Sequence, residues 1–148
     1  MGLQSFFIRL GNPVLSLLLR SPLHAMAGGS LMLISVTGRR SGRMYTTPVN
    51  YLRDGVSLMV TSHRSRTWWR NLRGGADVGL HLQGHARRGH ATVEEDDSSV
   101  AQALGKIVAS QPAYGRFLGV KIRPDGTPDP GDVLSAARSR VVVRVRLQ

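Results

Sequence analysis

The stretch Leu31–Pro48 reads LMLISVTGRRSGRMYTTP: an apolar strand, a basic glycine turn, and a second strand that starts polar. The turn, Thr37-Gly38-Arg39-Arg40-Ser41-Gly42-Arg43, packs three guanidinium groups, two hydroxyls and two glycines into seven residues. Glycine accepts positive φ and removes the side chain that would block close approach, so backbone N–H groups and arginine forks can converge on one anion. That chemistry suits a phosphate or a carboxylate. The turn is not a Walker A loop and not a dinucleotide fingerprint, because neither spacing is present. The residues alone equally allow a solvated hairpin whose arginines serve solubility.

Downstream, Val49–Arg53 continues the second strand, Asp54-Gly55 reads as a type I′ turn, and Val56–Ser62 returns as a third strand. His63–Arg73 is too polar for a core strand and reads as a loop entering a short helix, capped by Ser65 or Thr67 and ended by Gly74-Gly75. Strands Val78–Gln83 and Ala86–Val93 follow, joined through Gly84. After the acidic run Glu94–Asp97, Ser98-Ser99 is expected to cap an amphipathic helix, Val100–Ser110. A helical turn at Tyr114–Leu118 and a breaker-rich loop at 123–131 come next. Asp132 is expected to cap a helix through Ala137 before the last strand, Val141–Leu147, which alternates toward its end and so shows one face to solvent. Five strands, a helical insertion and a returning strand describe a small, mostly antiparallel barrel, since a last strand removes the open edge.

Upstream, residues 1–28 are apolar but interrupted by Arg9, Pro13 and Arg20, short of the ~20 apolar residues of a membrane span. A helix over Pro13–Leu19 with Asn12 as N-cap is expected to remain on the mature chain, packing on the barrel, covering a ligand or resting on a membrane surface. The competing reading is a signal peptide ending at Ala25-Met26-Ala27.

The chain's 148 residues, 41% of them hydrophobic, fit one domain. The balance of 20 Lys+Arg against 9 Asp+Glu gives a formal charge of +11, a field that draws polyanions of any kind. Without cysteine, disulfides, thiolate catalysis and cysteine-ligated metals are excluded. His81, His85 and His90 have no carboxylate near them in sequence and read as structural or solvated rather than as a metal site. No G-x-S-x-G is present, and acids are sparse before Glu94, so hydrolysis by the protein's own side chains is disfavoured. Trp68-Trp69 stands among Arg64, Arg66, Arg70 and Arg73, where a flat ring could stack while cations hold an attached phosphate. A core pair is the alternative.

Taken together, Thr37-Gly38-Arg39-Arg40-Ser41-Gly42, Pro48, Ser62 and Trp68-Trp69-Arg70-Asn71-Leu72 resemble the signature of the deazaflavin-dependent nitroreductase family, the flavin/deazaflavin oxidoreductases. The resemblance runs from Leu31 to Val93. It implies an α+β fold, a split β-barrel of the FMN-binding type with about six strands. It also implies coenzyme F420, a deazaflavin with a phosphate and an oligoglutamate tail, in preference to FMN. Carried over by position, Arg39, Arg40, Ser41, Gly42 and Arg43 would meet the phosphate and tail. Thr47 and Pro48 would lie against the ring, with Ser62, Trp68, Trp69 and Asn71 framing its other side. Tyr45 stands where the family often has arginine, three residues before the proline, and the loop from Ser62 to Trp68 is shorter than usual in the family. Tyr45 and Tyr51 are the candidate proton donors.

The function expected is hydride transfer from reduced F420 to an electron-poor acceptor such as a quinone, an enone or a nitro compound. The alternative is a non-catalytic carrier of deazaflavin, flavin, haem or lipid. Expected partners are the small-molecule acceptor, a membrane surface met through the N-terminal helix, and a second copy in a homodimer, with nucleic acid excluded for want of a recognised module. A cytoplasmic location is expected.

Overall fold

The computed structural model describes residues 31–148; the helix expected over Pro13–Leu19 and the cleavage-site reading lie outside them. Six strands, β1 (Leu31–Thr37), β2 (Met44–Asp54), β3 (Ser57–His63), β4 (Ala76–Leu82), β5 (His85–Glu94) and β6 (Arg140–Leu147), close a barrel in the order β1-β2-β3-β6-β5-β4. Every neighbouring pair is antiparallel. A 3₁₀ turn (Trp68–Leu72) links β3 to β4, and three helices, α1 (Asp97–Ser110), α2 (Ala113–Leu118) and α3 (Pro130–Arg138), separate β5 from β6.

Two apolar layers share the sheet. Alternate side chains of the strands, Met32, Ile34, Val36, Leu58, Val60, Leu80, Val141 and Val143 among them, fill the barrel interior together with Trp68, Trp69 and Leu72. On the outer face Leu52, Met59 and Val142 lie under Val100, Leu104 and Ile107 of α1, Leu118 of α2 and Ala137 of α3. The run Val141-Val142-Val143 is apolar because both of its faces are covered, as in any strand buried on two sides. The one-face reading of this strand therefore holds only at its end, where Arg144 and Arg146 turn outward around buried Val145.

The turns differ from expectation by one residue, for a stereochemical reason. Asp54 pairs with Ser57, so the loop after β2 is Gly55-Val56 with only Gly55 at positive φ (61°), the pattern of a type II′ turn. The type I′ arrangement occurs instead between β4 and β5, where Gln83 (φ 50°) and Gly84 (φ 77°) are both left-handed. The helix caps also shift. Asp96, rather than Ser98-Ser99, caps α1 by accepting from Ser99 N at 2.9 Å. Asp129, followed by Pro130, caps α3 by accepting from Asp132 N at 3.0 Å. In each case the carboxylate one turn earlier reaches the free N–H groups, which favour an acceptor with a negative charge.

Candidate functional site

The ladder between β2 and β3 runs only from Asp54–Ser57 to Tyr51–Val60. Beyond it the strands part: β2 residues 44–50 stay with β1, while Thr61, Ser62 and His63 pair with Val142, Val141 and Arg140 of β6. Pro48, which has no N–H to give a ladder, stands on the departing segment. The opening is a cleft of about 120 Å³ lined by Pro48, Asn50, Ser62, His63, Arg66, Trp68, Tyr114, Phe117 and Arg140, with Leu31, Val49 and Thr61. A larger, open recess of about 790 Å³ lies between α2 and residues 119–122, but none of the residues expected in a cofactor site reaches it. The cleft is the stronger candidate because the sheet itself splits there and polar and aromatic groups converge on it.

A chain of hydrogen bonds ties the basic turn to this cleft. Gly38 N donates to Arg43 O (2.7 Å) and Gly42 N to Gly38 O (2.9 Å), closing the turn on itself with Gly42 at φ 68°. A Cβ on Gly38 would come within 2.7 Å of Tyr45 Cε2 and 2.9 Å of Ser41 Oγ, so only glycine lets Tyr45 fold over the turn. Ser41 Oγ is 3.2 Å from Tyr45 OH and accepts from Arg43 N at 3.2 Å. Arg39 N donates to Asn71 Oδ1 (3.1 Å), and Asn71 Nδ2 donates to Trp68 O (3.1 Å). Trp68 Nε1 in turn donates to Ser62 Oγ (3.2 Å), whose hydroxyl donates to His63 O. Thus Arg39, Ser41, Gly42, Asn71, Trp68 and Ser62, named from sequence, form one connected unit that includes Tyr45, and Pro48 faces the same cleft.

Three predicted residues sit elsewhere. Tyr51 packs in the barrel interior and, unlike the groups above, does not line the cleft. Trp69 is 3% exposed and is also core; its ring meets the guanidinium groups of Arg73 (5.0 Å) and Arg70 (5.6 Å) rather than the cleft. The two tryptophans diverge because successive residues of a 3₁₀ turn point about 120° apart. Thr47 pairs with Ile34, whose side chain is interior, and does not line the cleft.

Besides Arg66, one of the cations read from sequence beside the tryptophan pair, the cleft holds groups that were not legible as site residues: Asn50, His63, Tyr114, Phe117 and Arg140. They come from four separate segments, and no local spacing joins them. Asn50 lines the cleft, and its Oδ1 is buried with no hydrogen-bond partner among the described residues. Burial raises the Tyr114 pKa against the lowering effects of Thr61 and Arg140, so the phenol keeps its proton at neutral pH. The charge of Arg140 first, then burial, then Arg66 hold the His63 pKa below its usual 6.5.

The cleft is strongly cationic because the chain's acids are all occupied elsewhere. All nine lie within the described residues. Asp54 and Glu94 face Arg144, Asp77 faces His90, Glu95 Arg73, Asp97 Arg64 and Asp125 Arg123. Asp96, Asp129 and Asp132 accept from backbone N–H groups. The Asp77–His90 contact (2.9 Å) corrects the expectation that no carboxylate lies beside the histidines: the register sets the two residues directly across β4 and β5. Among the described residues no group of three His, Cys, Asp or Glu could hold a metal ion. None of the described helices is long and apolar enough to cross a membrane.

Among curated proteins no sequence matches. Among solved structures the fold is similar to the protein Atu2129 of Agrobacterium tumefaciens, of unknown function (16% identity, 80% of this chain and 48% of that one, TM-score 0.54). It is also similar to the flavocytochrome Anf3 of Azotobacter vinelandii (11% identity, 80% of this chain and 58% of that one, TM-score 0.50). The chain thus spans about half the length of these two relatives. An F420 reductase is a further similar structure (18% identity, 84% and 92% covered, TM-score 0.45). The sequence model of the F420H(2)-dependent quinone reductases matches residues 22–119, well over half of the chain. With the glycine-arginine turn tied through Asn71 and Trp68 to a split between β2 and β3, the chain belongs to the F420H(2)-dependent quinone reductase family, oxidoreductases that draw on the reduced deazaflavin coenzyme F420.

Proposed function

We propose that this barrel, a single catalytic unit, reduces a quinone-type acceptor with reduced F420 bound at the β2/β3 cleft, with enones and nitro compounds as further acceptors. The observation that carries the reading is the cleft itself, where an unpartnered buried amide oxygen, Asn50 Oδ1, lies beside the Trp68–Ser62 wall and Pro48. Its volume of about 120 Å³ is below the ~300–1,000 Å³ of whole small-molecule sites, so it suits one edge of a planar ring system. The remainder would extend over the basic turn.

When bound, the deazaflavin supplies the hydride. The chain's own groups position and protect it. Asn50, whose Oδ1 lacks a partner among the described residues, would hold an N–H donor of the bound ring. Pro48 and Trp68 offer flat apolar surface and exclude water. Arg40 and Arg43, with the N–H groups of the turn, would hold the phosphate and the acidic tail. Tyr114 keeps its phenolic proton at the cleft, where it would be available to the oxygen of an acceptor bound there. Tyr45, by contrast, is 48% exposed and bonded to Ser41, a place suited to shaping the turn.

Replacing each tyrosine by phenylalanine tests this assignment. Tyr114→Phe should lower kcat about 100-fold with F420 affinity kept, the effect expected of a lost general acid, while Tyr51→Phe should leave kcat unchanged. Equal rates for wild type and Tyr114→Phe would remove the phenol from the reaction.

A further inference from the structure

Arg140 opens β6, pairs with His63 across the ladder, lines the cleft and is only 8% exposed. Its guanidinium lies 5.7 Å from the Phe117 ring centroid, with the Tyr114 phenol as a further neighbour. A buried cation is costly unless an anion compensates it. The chain supplies none. All nine carboxylates are engaged at other places, as described above, and residues 1–30 contain no acid. Arg66 adds a second guanidinium to the same cleft, while Arg140, burial and Arg66 hold the His63 pKa below its usual value and so keep that ring neutral.

We propose that Arg140 is the anchor of an anion subsite in the cleft, binding a carboxylate or phosphate oxygen group of the molecule held there against Phe117 and Tyr114. It is separate in sequence and structure from the turn at Arg39–Arg43. The proposal rests on the cleft being the ligand site; it does not depend on which ring system occupies it. The fork geometry of arginine suits two oxygens of one planar or tetrahedral anion, and the aromatic face of Phe117 keeps the guanidinium oriented before the anion arrives.

The test uses the cofactor-free protein with benzoate and inorganic phosphate as probes, followed by tryptophan fluorescence, because Trp68 lines the cleft. Wild type should bind at least one probe and melt at a higher temperature in its presence. Arg140→Met should weaken that binding by about tenfold or more, the loss expected for a charged hydrogen bond, with partial recovery in Arg140→Lys. Without ligand, Arg140→Met should melt no lower than wild type, because it removes an uncompensated buried charge. Two further titrations identify the source of the anion. If Arg140→Met loses affinity for F420 but not for its phosphate-free chromophore, the anion is the cofactor's. If it loses benzoate and a carboxylated quinone while both deazaflavin forms bind as before, the anion belongs to the acceptor. Wild type that binds neither probe, or probe affinity unchanged in Arg140→Met, would overturn the subsite. Failure to bind any deazaflavin, with the benzoate result intact, would overturn the F420 assignment and leave the subsite standing.

Discussion

Asn71→Ala probes the connection between the turn and the cleft, because one amide spans both. Its Oδ1 accepts from Arg39 N and its Nδ2 donates to Trp68 O, each at 3.1 Å. A net ~0.5–1.5 kcal/mol per bond sets the scale. The Arg39 N–H is exposed and recovers a water, which places that bond near the lower figure, and the Trp68 carbonyl is partly buried. The expected loss is about 1–2 kcal/mol in all, which lowers the urea midpoint by ~0.5–1 M for an m-value of about 2 kcal/mol/M. Asn71→Asp keeps the acceptor for Arg39 but not the donor to Trp68, and should lie between the two. F420 affinity should fall in the order wild type, Asp, Ala, since a turn no longer held against the 3₁₀ segment must be ordered on binding. If Asn71→Ala shows the stability loss but binds F420 as wild type does, the turn does not act on the cofactor through this link.

Arg40→Ala and Arg43→Ala should each weaken F420 binding by about tenfold at low salt, the difference shrinking as salt screens these exposed charges; titrations equal to wild type at low salt would make the turn a solvated hairpin. Trp69→Ala should cost about 3–5 kcal/mol in urea unfolding, as for a large buried aromatic, and a loss near zero would contradict its place in the core. His63 contributes through its lowered pKa: between that value and 6.5 the unfolded chain binds a proton that the folded chain does not, so stability is full above pH 6.5 and is lost as pH falls through the window beneath. His63→Asn should flatten this slope in urea midpoints measured against pH, and an unchanged slope would assign it to other groups.

Much of this architecture can be read from local pattern, and the exceptions have physical causes. Strand alternation and glycine turns identify the six strands because each depends on neighbouring residues alone. The precise turn type does not: whether Asp54 or Gly55 begins the loop is decided by the register of Tyr51 on Val60, a tertiary choice. The caps at Asp96 and Asp129 required deciding which of several adjacent acids or serines reaches the N–H groups. In the site, Ser41, Asn71, Trp68 and Ser62 carry a recognisable spacing because the turn and the 3₁₀ segment are each contiguous. Asn50, Tyr114 and Arg140 do not, since only closure of the barrel with β6 beside β3 brings α2 and the start of β6 to the gap. Composition leaves the place of Trp69 open, because a tryptophan pair in a basic segment looks the same whether one ring is core or both face a ligand; the structure puts this ring in the core.

If the β2/β3 cleft holds reduced F420 for transfer to a quinone, the coenzyme's oxidation must depend on the protein. The most direct measurement is the anaerobic loss of the reduced-deazaflavin signal with a quinone present, with and without the protein, and with reduced FMN as the competing donor. Protein-dependent oxidation should saturate with F420, be unmatched by FMN and be slowed by Asn71→Ala. Oxidation no faster than without protein, despite tight F420 binding, would contradict it and make the chain a carrier; tighter binding and faster turnover with FMN would contradict the deazaflavin assignment itself.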